Sequence, residues 1–391
     1  MKTTMSLFAI SAVILIGCFM LGANSQPEIP SSPEPKVAAA APNLHEAFAG
    51  DFEIGAALGG QTLSGSDSTA MPLVATQFNS FTGENCMKPQ PIQPEEGVFR
   101  FEEADNLMKI ARESGANVVG HTLVWHSQTP GWFFKDADGK PVSRELALKR
   151  MRTHIAAVVG RYKGQIKQWD VVNEAISDNG SEWLRPSPWL KAIGEDYIAE
   201  AFRAAHAADP DALLLYNDYN IENPGKREKT IKLLKSLKEQ GVPIHGVGIQ
   251  GHWGLGYPSL ETIETAIQEF GKLGLKVMIT ELDVSVLPAK YFGADVSVQQ
   301  MKEEGLDPYT EGLPAEVAQQ QAERYRALFE VFLRNRDIVD RVTFWGVHDG
   351  QSWKNNFPIR GRTDYALLFD RQGKPKPAFN ELVKLADSKK K

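Results

Sequence analysis

The chain of 391 residues holds only two cysteines, Cys18 and Cys86, so at most one disulfide can form and a disulfide-stapled scaffold is excluded. It lacks CxxC and HExxH, so neither a thiol pair nor a zincin helix is on offer. It also lacks any long Lys/Arg run: 43 basic side chains face 49 acidic ones, for a formal charge of −6. That balance leaves no electrostatic footprint for nucleic acid or an anionic membrane surface. What is present is ordinary for a folded globular protein, with 42% apolar and 24% charged residues. Eight tryptophans are the one count whose meaning depends on where they fall.

The N-terminus reads as an address. Lys2 precedes an apolar stretch from Leu7 to Leu21, broken only by Ser11, Gly17 and Cys18. At about 15 residues it is too short to span a bilayer comfortably, so it reads as an export signal. Leu15-Ile16-Gly17-Cys18 resembles a bacterial lipobox, which predicts a signal peptide over 1–17, lipidation of Cys18 and a lipoprotein anchored in the bacterial cell envelope. Cleavage after Ala23-Asn24-Ser25 is the competing reading, and it would leave a secreted or periplasmic chain. Either way Cys86 has no intrachain partner. Residues 18–43, with Pro27, Pro30, Pro33, Pro35 and Pro42 among Ser, Ala and Glu, cannot bury a core and read as a flexible tether. One uninterrupted domain follows over 44–386, then a short basic tail over 387–391.

Within that domain eight apolar runs have strand character: Phe52–Leu58, Phe78–Glu84, Asn117–Trp125, Gln168–Glu174, Leu213–Asn217, Val247–His252, Lys276–Asp283 and Val342–His348. Helical periodicity separates them at Glu102–Glu113, Arg144–Arg161, Lys226–Gln240, Leu260–Leu273 and Pro314–Arg336. Eight alternating units in one linker-free block predict an α/β fold, a single (β/α)8 barrel, over a doubly wound sheet. The ends of the runs are where polar residues gather: Glu84, Asn85, Lys88, His121, Asn173, Asn217, Asp218, Gln250, His252 and Asp283 among them. In a barrel these ends open on one face, where such enzymes place their chemistry. All the tryptophans except Trp169 follow or end these runs, and aromatic rings suit sugar rings.

Two glutamates stand out. Glu174 and Glu281 end strands on opposite sides of the barrel mouth, so two carboxyls can face one small substrate. Glycoside hydrolysis needs such a pair, one acid to protonate the leaving oxygen and one carboxylate to attack or to activate water. The separation of about 5 Å that marks retaining chemistry is not encoded in sequence spacing. Either Glu taken singly could instead be a strand-end carboxylate in a salt bridge. A metal site built on Asp218, Asp283 and Glu84 would need more inward carboxylates than the chain supplies.

Gly274-Leu-Lys-Val-Met-Ile-Thr-Glu-Leu-Asp-Val284 and Trp169-Asp-Val-Val-Asn-Glu-Ala175 carry these residues in a recognisable setting. So do Thr82-Gly-Glu-Asn-Cys-Met-Lys88, His121-Thr-Leu-Val-Trp-His126, Gly248-Ile-Gln-Gly-His252, Thr343-Phe-Trp-Gly-Val-His-Asp349, Ser352-Trp353 and Arg360-Gly-Arg-Thr-Asp364. Together, and in this order, they resemble glycoside hydrolase family 10, the (β/α)8 endo-β-1,4-xylanases, from about Leu44 to Ala386.

The resemblance implies a retaining double displacement on xylan and xylo-oligosaccharides, with Glu281 as nucleophile and Glu174 as acid/base. Asn173 would bond the 2-hydroxyl of the sugar under attack, and Gln250 would lie near both carboxyls. His252 would bond Glu281, with Asp283 fixing its tautomer. Glu84, Asn85, Lys88, His121 and Trp125 would line the glycone side under Trp345 and Trp353, and Tyr219 would stack on the leaving-group sugar. No cofactor, metal or nucleic-acid partner is implied, and the chain is expected to act as a monomer. The bland readings are a structural His121, a packing Asp283, a solvated Lys88, a filler Cys86, a core Trp169 and supporting roles for His126, His348 and Asp349. The long segment 284–313 is expected to border the aglycone side and tune chain-length preference. Other retaining β-glycanases and a silent surface glycan-binding protein are the alternative functions.

Overall fold

The computed structural model describes residues 43–389 apart from 292 and 302, so the export signal, the lipidation residue Cys18, the tether up to residue 42 and the last two lysines lie outside the described residues. Among the described residues nine parallel strands form in chain order: β1 (Glu53–Leu58), β2 (Ser80–Gly83), β3 (Asn117–Trp125), β4 (Gln168–Asn173), β5 (Leu213–Asp218), β6 (Gly246–Ile249), β7 (His252–Gly254), β8 (Lys276–Ser285) and β9 (Val339–Phe344). Each hydrogen-bonds its neighbour, β9 returns to β1, and β6 and β7 both pair with β8, which closes the sheet. The result is the expected (β/α)8 barrel.

The sixth stave is in two pieces, not the single run Val247–His252. Gly251 adopts φ +82, a left-handed conformation open mainly to glycine. The main chain stays tied to β8 across the break: Gln250 and Gly251 carbonyls accept from the N–H groups of Glu281 (2.7 Å) and Asp283 (3.2 Å). Three other strands end earlier than expected, the second at Gly83, before Glu84. The fourth strand stops at Asn173 because Glu174 turns to φ +58, and the last stops at Phe344, before Trp345 and His348.

The helices follow from their end signals. Ser143 caps Arg144–Arg161 by accepting from the Leu146 N–H, and Ser259 does the same for Leu260–Lys272 through Thr262. Gly115 at φ +66 ends Glu102–Ser114. Pro224–Glu239 and Ala315–Arg334 sit within two residues of their predicted bounds. Tyr197–Ala208, Ala70–Gln77 and Pro377–Ser388 were not anticipated. The first buries Tyr197, Ile198 and Phe202 beside three alanines, but it has no side-chain cap to mark its start.

Trp169 is fully buried, as its place at the start of β4 implied. Covering an aromatic side chain of roughly 200 Å² contributes about 5 kcal/mol. Gly120 on β3 makes room for it: a Cβ there would lie 2.0 Å from the indole, so the neighbouring strand tolerates no side chain at this level. Cys86 is likewise buried and free, with burial pushing its thiol up to about 12.

Candidate active site

Polar strand ends converge above the barrel on a cavity of about 130 Å³. Its walls include Glu84, Asn85, Lys88, His121, Trp125, Asn173, Glu174, Gln250, His252, Glu281, Trp345 and Trp353. Asp283 stands behind it. Of the catalytic and substrate-binding side chains expected from sequence, Tyr219 alone lies neither in this wall nor directly behind it.

The two glutamates are 3% and 5% exposed, yet their surroundings drive them apart. Around Glu174, Gln250 Nε2 donates to Oε1 at 2.9 Å and Trp125 Nε1 to Oε2 at 2.8 Å. Asn173 Nδ2 adds a longer bond at 3.2 Å. Burial still outweighs these neutral donors and the charge of Arg185, and with the charge of Glu281 it raises the Glu174 carboxyl above its ordinary value. Around Glu281 burial acts in the same sense but loses. His252 Nε2 lies 3.2 Å from Oε2, Asn217 Nδ2 donates to Oε1 at 2.8 Å, and the charges of His121 and His252 lower the carboxyl below its ordinary value. The surroundings thus favour the protonated form of Glu174 and the ionised form of Glu281.

His252 is aimed from behind. Its Nδ1 lies 2.9 Å from Asp283 Oδ2, and burial, which lowers the imidazole, is overcome by that carboxylate, which raises it. The same Asp283 oxygen accepts from Trp353 Nε1 at 2.8 Å, while the Trp353 ring stacks on Phe357 with centroids 4.4 Å apart. One carboxylate therefore orients both the histidine and the indole that roofs the pocket. His121 is fixed through Nδ1 on Asp170 at 2.9 Å, and Trp345 meets it edge-on. Lys88 is buried, not solvated: Nζ donates to Asn85 and Gln128 at 3.0 Å each and sits 4.8 Å from the Trp125 ring. Burial lowers this ammonium, against the pull of Glu281, Glu84 and Glu174. Glu84, half-buried, is raised by burial despite Lys88.

Tyr219 does not offer the open ring that stacking on a sugar requires. It is 2% exposed, with Lys226 Nζ 3.7 Å from its ring centroid and its hydroxyl bonded to Asp178. It lies in the wall of a neighbouring cleft of about 690 Å³. The tryptophans need the same correction. Trp125, Trp345 and Trp353 reach the cavity, but Trp189 and Trp253 are buried, bonded to the Trp125 carbonyl and to Glu222. Trp132 stacks on Phe133, and Lys232 covers Trp183. Nor is Asp218 free for a metal, since it accepts from Lys226 at 2.9 Å and from Tyr216. His348 pairs with Asp67 and Asp349 with Lys376, both outside the cavity.

Four contributors are not evident from the sequence. Asn217 bridges the two halves, donating to Asn173 Oδ1 (2.9 Å) as well as Glu281, with its own carbonyl fixed by Thr280 (2.7 Å). In the sequence it is only one polar strand end among several. Gln128 lines the pocket from a left-handed position at φ +42, and Ala294 and Val296 bring segment 284–313 into the same wall. Tyr291, Gly293, Asp295 and Val298 of that segment line the neighbouring cleft.

The family model for glycosyl hydrolase family 10 matches residues 43–385. The chain belongs to that family. Among family 10 relatives, an endo-1,4-β-xylanase of Geobacillus stearothermophilus is 46% identical over 88% of this chain and 98% of its own length. Endo-1,4-β-xylanase A of Xylanibacter ruminicola is 44% identical over 88% of this chain and 93% of its own. Among solved family 10 structures, an endoxylanase from a sugarcane soil metagenome superposes with a TM-score of 0.85 at 44% identity, covering 88% of this chain and all of that one. Xylanase XynB of Paenibacillus barcinonensis, solved with a conduramine derivative, gives a TM-score of 0.80 at 42% identity, covering 88% and 99%.

Proposed function

We propose that this chain is an endo-β-1,4-xylanase that works by a retaining double displacement, with Glu281 as nucleophile and Glu174 as acid/base. The observation that carries the reading is the opposed titration of two buried carboxyls in one cavity, a raised acid facing a lowered carboxylate. Glu281 attacks the anomeric carbon while Glu174 protonates the departing oxygen; Glu174 then takes a proton from the water that releases the sugar. Asn173 reaches the 2-hydroxyl, and Glu84, Asn85, Lys88, His121 and Trp125 bind the glycone. Trp345 and Trp353 close over it and leave little room for the hydroxymethyl group that distinguishes glucose from xylose. Segment 284–313 faces both the cavity and the cleft, a placement that suits control of chain length. Lipidation at Cys18, export to the bacterial cell envelope and monomeric action belong to the same reading, the first two on the strength of Leu15–Cys18.

Reducing-sugar release should be far faster on xylan than on carboxymethylcellulose or mixed-linkage β-glucan, with internal cleavage giving xylo-oligosaccharides. Equal rates on the glucans would favour a broader β-glycanase, and no release at all would favour a binding protein. The pH profile of kcat/KM follows from the two shifts. The acid limb, where Glu281 takes up its proton, should lie below the ordinary carboxylate range, and the basic limb, where Glu174 loses its proton, above it. In Glu174→Gln the basic limb should disappear. Its survival there would reassign that ionisation.

A further inference from the structure

We propose that Arg185 is a positioning residue for the acid/base: it clamps the main chain of Glu174 to segment 284–313, so that one side chain sets both the acid and the adjoining pocket wall. This rests on the role of Glu174 proposed above. Glu174 lies at φ +58, a region that a non-glycine residue holds only when its surroundings fix it. Its N–H donates to the Asn217 carbonyl at 2.9 Å. Its carbonyl accepts from Arg185 Nε at 3.0 Å. The next two N–H groups, of Ala175 and Ile176, both donate to the Tyr216 hydroxyl at 3.0 Å.

The rest of the guanidinium reaches outward. Nη1 donates to Asp295 Oδ2 at 2.8 Å, and Nη2 to Asp178 Oδ2 at 2.9 Å and the Tyr219 hydroxyl at 2.7 Å. Lys226 links Asp178 (2.8 Å) to Asp218 (2.9 Å), and Asp218 accepts from the same Tyr216 hydroxyl that holds Ala175 and Ile176. The network thus closes on itself around the turn that presents the acid. Asp295 sits between Ala294 and Val296, the two residues that wall the cavity. Arg185 itself does not line the cavity, so its influence passes through the groups it holds. The guanidinium serves the carbonyl and the two carboxylates from three separate nitrogens, whereas a lysine ammonium would have to reach all three from one point.

The distinguishing measurement is the leaving-group dependence of the full-length enzyme. In Arg185→Ala, kcat/KM on xylotetraose, which needs the acid, should fall roughly 100-fold, the scale of a misplaced catalytic group. On 2,4-dinitrophenyl β-xylobioside, which needs no protonation, it should fall less than about tenfold. Arg185→Lys, which keeps charge but not the fork, should show a weaker version of the same split. Asp295→Asn, which loosens the wall while leaving the Glu174 contact, should act mainly on KM. Equal losses on both substrates in folded Arg185→Ala would make Arg185 merely structural and overturn the proposal. If that variant does not fold, an unsplit loss in Arg185→Lys does the same. Wild type inert on xylan would instead sink the functional reading.

Discussion

Replacing Glu281 with alanine should abolish turnover on every substrate, natural or activated, with kcat down by at least about four orders of magnitude. The size of the effect comes from what the side chain alone supplies. It is the carboxyl of the pair whose ionised form is favoured, by His252, Asn217 and nearby positive charge against the cost of burial. A better leaving group does not compensate, because the bond to the anomeric carbon has no partner. The variant should keep its fold, since Glu281 lies at the mouth of the barrel and its main chain remains paired through Gln250. Initial rates on xylan and on 2,4-dinitrophenyl β-xylobioside provide the check. Added azide should yield an α-glycosyl azide, formed by a single displacement. Residual activity within tenfold of wild type on either substrate would refute Glu281 as nucleophile.

Glu174→Ala should separate the two half-reactions. On xylan, where the departing sugar must be protonated, kcat/KM should drop by roughly 10² to 10⁴, the usual worth of a positioned acid. On the dinitrophenyl substrate glycosylation should proceed, but release should stall because no base activates water. The glycosyl-enzyme should then accumulate and be visible as added mass on the intact protein. Azide needs no base, so it should restore turnover and give the β-glycosyl azide, the product of two inversions. An α-azide, or the same loss on both substrates, would contradict the assignment. The raised carboxyl of Glu174 has a clear origin: Gln250 and Trp125 are neutral donors, too weak to offset burial.

Much of this was legible because polar residues at strand ends break an otherwise apolar pattern, and barrel topology alone brings those ends together. Glu174, Glu281, His252 and Asp283 follow from position and residue type. Other features depend on three dimensions. Asn217 becomes a bridge only because β4, β5 and β8 place Asn173 and Glu281 within its reach. Tyr219 loses its open face to Lys226, which the helix Pro224–Glu239 swings over it. Trp189 and Trp253 follow predicted strands as Trp345 does, yet pack inward, because Trp189 falls in the short helix Pro188–Ile193 and Trp253 in β7, two elements too short to show a period. Arg185 lies 11 residues beyond the glutamate it supports, with no pattern between them.

The departures from regular pairing gather near the cavity, with one exception on β8 between Val277 and Met278. Register slips occur on β3 between His121 and Val124, on β4 between Asp170 and Val172, and on β8 between Ile279 and Leu282. The sixth stave breaks at Gly251, and Glu174 itself is left-handed. Each lies within a residue or two of a side chain that faces the cavity, in keeping with the tendency of bulges to re-aim side chains beside active sites. Transplantation therefore has a minimum unit. Grafting the two glutamates, His252 and the asparagines onto an idealised barrel would carry over the reagents without their aim. A working copy has to import the irregular backbone too, and with it the glycine at 251 and the turn after Asn173.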